Sequence, residues 1–134
     1  MTVSKKELYS MACSARERSY SPYSKISVGA ALLAKSGKIY TGANIENSAY
    51  SPSVCAERVA FFAAISAGER EFEAIAVAGG VANEAPKELF PPCGVCRQVM
   101  AEFCSHDFKV ILSENQEILF SELLPYGFNE DYLK

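Results

Sequence analysis

Two short stretches carry residues whose types and spacing can do chemistry together: Cys55-Ala56-Glu57-Arg58, and Pro91-Pro92-Cys93-Gly94-Val95-Cys96-Arg97-Gln98. Cys93 and Cys96 are three apart, so in a first helical turn both thiols lie on one side, as a C-x2-C metal pair requires. The prolines ahead of them set the direction in which the chain enters that helix, since a proline there loses no useful N–H. Cys55 can supply a third thiolate from another helix start. Three protein ligands on Zn²⁺, with the fourth position left to water, make a catalytic site, whereas structural sites usually close with four. Three thiolates leave such a centre with one net negative charge, which opposes activation of water. Two helix N-termini, each worth roughly half a positive charge, offset it, and Arg58 can donate N–H groups to thiolate sulfur. Residues two apart face nearly opposite sides of a helix barrel, but a ligand off the helix end is reachable from both Cys55 and Glu57. Glu57 can then take a proton from the activated water and pass it to a substrate.

Other chemistries compete for these residues. A C-x2-C pair also serves thioredoxin-type redox chemistry, but there the pair follows an early strand, and this one lies late in the chain. A zinc-stabilised binding module would hold the metal equally well and have no use for Glu57. Five cysteines is an odd count, and an intracellular chain keeps them reduced, so a disulfide framework is a poor reading. Cys13 and Cys104 fall in predicted helices and read as small buried hydrophobes. His106, the one histidine, reads as a surface-turn residue.

The elements that must position these groups follow from periodicity. Ser4 caps a helix running to about Tyr20, with Leu8, Met11, Ala12 and Ala15 at helical spacing and Glu7 three residues after the cap. Ser21-Pro22-Tyr23-Ser24 breaks it, and Ile26 to Ala34 turns at Ser36-Gly37 into a second strand, Lys38 to Ala43. Ala56 to Ala67 is a helix apolar on nearly every side, which predicts burial all round and, in so short a chain, a second subunit covering part of it. Phe72 to Ala78 reads as a strand, Gly79 to Pro92 as a long loop, and Cys93 to about Cys104 as a third helix. Strands at Lys109 to Ser113 and Glu117 to Phe120, a short helix from Ser121 and an irregular end complete the chain. An initial hairpin followed by alternating helices and strands predicts an α/β layered domain with a mixed sheet.

The 134 residues, 49% of them apolar, suit one domain over residues 1–134. No run reaches the roughly 20 apolar residues of a membrane-spanning helix, and the polar start from Met1 to Glu7 is unlike a signal peptide, so a soluble cytoplasmic protein with no membrane partner is expected. A net charge of −3 without a Lys/Arg cluster leaves out the electrostatic footprint of a nucleic-acid binder.

With these residues in place, the sequence closely resembles the short, homotetrameric cytidine deaminases. The resemblance runs through Ser21-Pro-Tyr-Ser-Lys, Val28-Gly-Ala-Ala-Leu, Gly42-Ala-Asn-Ile-Glu-Asn-Ser-Ala-Tyr50, Cys55-Ala-Glu-Arg58, Pro92-Cys-Gly-Val-Cys-Arg-Gln98 and Glu122-Leu-Leu-Pro125. It implies a three-layer α-β-α sandwich around a mixed five-stranded sheet, one zinc per chain on Cys55, Cys93 and Cys96, and Glu57 as the proton shuttle. It implies hydrolytic deamination of cytidine and deoxycytidine to the uracil nucleosides and ammonia, in pyrimidine salvage. It further implies that Asn44 and Glu46 grip the sugar 3′-hydroxyl. Two apart on an extended segment, their side chains can face one side. The backbone at Ala56 is implied to meet the pyrimidine O2, the carbonyl near Pro91 to receive the leaving amine, and Tyr50 and Phe128 to belong to a neighbouring subunit's site. Two departures stand out. Ile26 occupies a substrate-pocket position where the family has an aromatic residue, and the Gly80 to Phe90 loop is longer than the family pattern.

Overall fold

The computed structural model describes residues 1–87 and 89–134, so part of the Gly80 to Phe90 loop, Glu88, lies outside the described residues. Helix α1, Lys5–Ala15, opens with the expected capping box: the Glu7 amide donates to Ser4 Oγ at 3.0 Å and the Ser4 amide to Glu7 Oε1 at 3.1 Å. It ends earlier than the expected Tyr20, passing into a 3₁₀ turn at Arg16–Arg18. Tertiary hydrogen bonds win over helix propensity here: the Tyr20 amide donates to the Asn44 carbonyl at 2.9 Å and Ser19 Oγ to Asn44 Oδ1 at 2.6 Å, drawing the chain out straight.

Strands β1, Ile26–Ala34, and β2, Ile39–Ala43, form the antiparallel hairpin. Helix α2, Ala56–Ser66, leads to β3, Phe72–Val81, then come helix α3, Gly94–Phe103, strands β4, Lys109–Ile111, and β5, Glu117–Leu119, and the short α4, Phe120–Leu123. A final 3₁₀ turn, Glu130–Leu133, gives the irregular end some order. The sheet order is β2-β1-β3-β4-β5, antiparallel except for β3 beside β4. The sheet is therefore mixed and five-stranded, as expected.

Alternation along the central strands separates the layers. Ala31 and Leu33 of β1 with Ala74, Ala76 and Ala78 of β3 pack against Leu8, Tyr9 and Ala12 of α1. Their neighbours Ala30, Leu32, Ile75 and Val77 face the other way, against Ala56, Ala60, Phe61 and Ala64 of α2 and Met100 of α3. Both faces of β1 and β3 are covered, which is why these strands read as continuous apolar runs.

Strand β3 runs three residues past its expected end at Ala78, because β1 is long enough to pair with it: Val28 with Gly79, Ser27 with Gly80, Ile26 with Val81. Within the chain helix α2 is left partly uncovered, Phe62 being 48% exposed and Ala63 exposed beside it, in line with the expectation that so short a chain does not bury this helix all round by itself.

Candidate functional site

Cys55 and Cys93 are the N-cap residues of α2 and α3, and Cys96 sits in the first turn of α3. Helix α2 is brought down onto β2 by Gly42, where a Cβ would lie 2.5 Å from the Ala56 carbonyl oxygen and 2.7 Å from the Ala60 nitrogen. Arg97 fixes the start of α3 by donating from Nε to the Pro92 carbonyl at 2.8 Å and from Nη1 to the Leu123 carbonyl at 2.7 Å. The three Sγ atoms consequently lie within 4.8 Å of one another, with 3.5 Å separating Cys55 from Cys93 and Cys93 from Cys96. Tetrahedral zinc with Zn–S bonds near 2.3 Å places sulfurs about 3.8 Å apart, so this all-thiol cluster fits that ion.

Arg58 turns back from the first turn of α2 and donates from Nη2 to Cys55 Sγ at 3.5 Å, while its buried Nε has no protein partner. Hydrogen bonding from Cys96 first, then from Arg58 and Cys93, pulls the Cys55 thiol down to about 5, and Cys96, as donor to that sulfur, is pushed up. The cluster is thus a place where negative sulfur is already stabilised.

Glu57 is 3% exposed and its Oε1 has no hydrogen-bond partner. Burial raises its carboxyl to about 7, with the nearby Cys55 charge adding to the effect. A carboxyl held near neutrality can both take and give a proton, which is the requirement for a shuttle.

One cavity of about 340 Å³ joins these groups, and Cys55, Glu57, Arg58 and Cys93 line one part of it. Ser24, Asn44 and Glu46 line another part, and Ile26, Val28, Val54 and Phe90 supply apolar wall. The sequence places Ile26, Asn44, Glu46, Cys55, Glu57 and Arg58 at one site, and the fold brings them together. Ala56, fully buried, follows Cys55 at the helix start.

The fold also gives Asn44 and Glu46 structural work. Asn44 Oδ1 accepts from the Val28 amide at 2.8 Å and its Nδ2 donates to the Ile26 carbonyl at 2.9 Å. Glu46 Oε1 accepts from the amides of Tyr23 and Ser24 at 3.0 and 3.1 Å, and its Oε2 from the Ser24 hydroxyl. These bonds, the Ser24 hydroxyl first, hold the Glu46 carboxyl below the usual carboxylate range.

Tyr50 and Phe128 do not line this cavity. Tyr50, 72% exposed, rests edge-on against Tyr23 with ring centroids 6.2 Å apart. Phe128, 54% exposed, stacks on Tyr132 at 5.6 Å, and its carbonyl accepts from Gln98 Nε2 at 2.9 Å. His106 is exposed on a turn, and Cys13 and Cys104 are half-buried against the two core clusters, away from the sulfur cluster.

Two contributors were not singled out in the sequence. Phe90 could have been suspected from its place just before Pro91-Pro92-Cys93. Arg16 carries no local signal, yet its buried guanidinium donates to the carbonyls of Ser27, Glu84 and Val81 at 3.0, 3.0 and 3.1 Å and ties the loop ahead of Phe90 to β1.

A fold of this kind with an open thiol cluster and a buried carboxyl defines a zinc deaminase. Residues 2–112 match the family model for the cytidine and deoxycytidylate deaminase zinc-binding region, and the chain belongs to that family. It is 51% identical over 123 residues to a cytidine deaminase of Sporosarcina psychrophila, covering 89% of this chain and 87% of that one. It is also 51% identical over 124 residues to a cytidine deaminase of Halalkalibacterium halodurans, covering 90% of each. The crystal structure of cytidine deaminase from Burkholderia pseudomallei superposes with a TM-score of 0.81 at 41% identity, covering 90% of this chain and 96% of that one.

Proposed function

We infer that the chain is a zinc-dependent hydrolase that converts cytidine and deoxycytidine to uridine and deoxyuridine with release of ammonia. The observation that carries this reading is a nucleoside-sized cavity whose wall holds Cys55 and Cys93 of the three-thiol cluster beside a buried glutamate with Oε1 unpartnered. Cys55, Cys93 and Cys96 would hold the zinc, which would supply Lewis acidity at the site. Glu57 takes one proton from the attacking water and delivers it to the base ring, then takes the second from the hydroxyl that has joined the ring and delivers it to the departing amine. Cytidine and water thereby become uridine and ammonia, and the carboxylate is restored. Arg58 stabilises the negative sulfur of Cys55. The Ala56 backbone meets the pyrimidine O2, and the carbonyl at Pro91 meets the leaving amine.

Asn44 and Glu46 hold the sugar 3′-hydroxyl, using the hydrogen-bonding capacity their backbone contacts leave, while Ile26 lines the wall. A grip on the 3′-hydroxyl serves ribose and deoxyribose alike. The working form is a homotetramer with shared sites. The exposed Phe62 and Ala63 of α2 support this, as do Tyr50 and Phe128, which lie outside the chain's own cavity. Among the described residues no helix is long and apolar enough to cross a membrane, and we place the enzyme in the cytoplasm, in pyrimidine salvage.

The test is absorbance change and ammonia release on purified zinc-loaded protein with cytidine, deoxycytidine, cytosine, CMP and adenosine. Turnover of the two nucleosides above the rest is expected. Inertness towards both, with zinc bound, would leave a zinc-stabilised binding module.

A further inference from the structure

We propose that Phe90 is the aromatic wall against which the cytosine ring of the substrate packs, and that Gly79 is glycine in order to seat it, an assignment that rests on the nucleoside deaminase reading. Phe90 is the aromatic residue among those described that line the cavity, and it shares that cavity with Cys55 and Glu57. Ile26, Val28 and Val54 offer aliphatic surface to the same space. A planar π-system entering this cavity therefore has one ring available within the chain to pair with.

The seat is visible in the strand beneath. A Cβ on Gly79 would lie 2.6, 2.7 and 2.9 Å from Cδ1, Cγ and Cε1 of Phe90, so one edge of the ring rests directly on the glycine. Gly79 does not have the left-handed backbone that requires glycine, a conformation found here at Gly37 and Gly68. Space for the ring, and not conformation, is what its missing side chain provides. A glycine inside a strand weakens the strand and marks such close approaches.

The ring is also held from behind. After Val81 the chain turns back over β3, with the Lys87 amide donating to the Gly79 carbonyl at 2.8 Å and the Ala82 amide to the Lys25 carbonyl at 2.8 Å. The three carbonyl bonds of Arg16 brace the same turn. Phe90 follows, partly buried against the main core, and the two prolines then lead straight into Cys93. Its position is thus fixed relative to the sulfur cluster, so the wall is in place before the base arrives and binding requires no ordering of the ring.

The experiment compares wild-type enzyme with Phe90→Leu, Phe90→Tyr and Gly79→Ala, all with zinc content measured, for kcat and KM on cytidine and for direct calorimetric binding of uridine. Phe90→Leu removes the ring but keeps apolar bulk, and should raise KM by about 2- to 10-fold, with kcat within about twofold, the signature of uniform binding removed. Uridine affinity should fall in step, Phe90→Tyr should restore both, and Gly79→Ala should raise KM by displacing the ring. An unchanged KM and uridine affinity in Phe90→Leu, or a loss of kcat or zinc at constant KM, overturns the assignment while cytidine turnover by the wild type leaves the deaminase reading standing. Absence of cytosine-nucleoside turnover in the wild type overturns both.

Discussion

Replacing Glu57 by Gln separates what this carboxyl costs the fold from what it does in the reaction. The side chain is 3% exposed with Oε1 unpartnered, and burial raises its carboxyl from 4.5 to about 7. A carboxyl whose folded value lies above its unfolded one binds more protons in the folded state between the two. Its penalty is therefore absent below pH 4.5, grows as pH rises, and levels off above about 7. Its full size is about 3 kcal/mol. Gln fills the same space and carries no pH-dependent cost, so metal-free Glu57→Gln should gain on metal-free wild type by about that amount between pH 4.5 and 8. At roughly 4 °C per kcal/mol for a chain of this size, the shift is easily read by thermal unfolding at a series of pH values. The zinc-loaded variant should meanwhile lose at least about 10²- to 10⁴-fold in kcat, as the loss of a positioned proton shuttle requires. A stability difference that is flat with pH would refute the burial argument. Near-normal turnover in a zinc-loaded variant would refute the catalytic role.

Metal analysis should find one tightly held zinc per chain, lost in Cys55→Ala, and undiminished zinc in that variant would remove Cys55 from the ligand set. Arg58→Gln should lower activity by about 10- to 100-fold with zinc retained, less than Glu57→Gln does, and the reverse order of severity would contradict the charge-balancing role. Arg16→Met keeps bulk but removes the donors to the carbonyls of Ser27, Val81 and Glu84, of which Val81 still accepts from the Glu84 amide. It should cost about 1–3 kcal/mol in denaturant unfolding, and a loss below about 1 kcal/mol would mean water replaces the guanidinium at no expense. Truncation before Phe128 should lower activity with the zinc ligands intact, and a fully active monomer in light scattering would overturn the shared-site assembly.

The sequence reveals most where local chemistry decides the outcome. The capping box of Ser4 and Glu7, the hairpin around Ser36-Gly37 and the helix starts at Cys55 and Cys93 all form where residue type and spacing place them. It reveals less where a distant partner decides. Helix α1 stops at Ala15 because Asn44 claims Ser19 and Tyr20, and β3 continues through two glycines because β1 extends far enough to pair with them. Arg16 is the extreme case, since its partners lie 11, 65 and 68 residues away and are all carbonyls, which leave no mark on residue type.

The same distinction explains how the site is built. Cys55, Glu57, Cys93 and Cys96 are legible as chemistry because a metal and a proton shuttle need particular atoms. Their convergence, however, depends on residues chosen for what they lack. Gly42 allows the first turn of α2 to press onto β2, where any side chain would meet the Ala56 carbonyl. Gly79 allows the segment before α3 to lie on β3, where any side chain would meet Phe90. Each glycine lies under one of the two arms that bring a thiol to the cluster, but what each makes room for differs. A Cβ at Gly42 would press on backbone that cannot rotate aside, whereas one at Gly79 would press on a side chain that can. Gly42→Ala should for that reason disturb the sulfur spacing and metal affinity, while Gly79→Ala should leave the metal in place and change the shape of the cavity beside it.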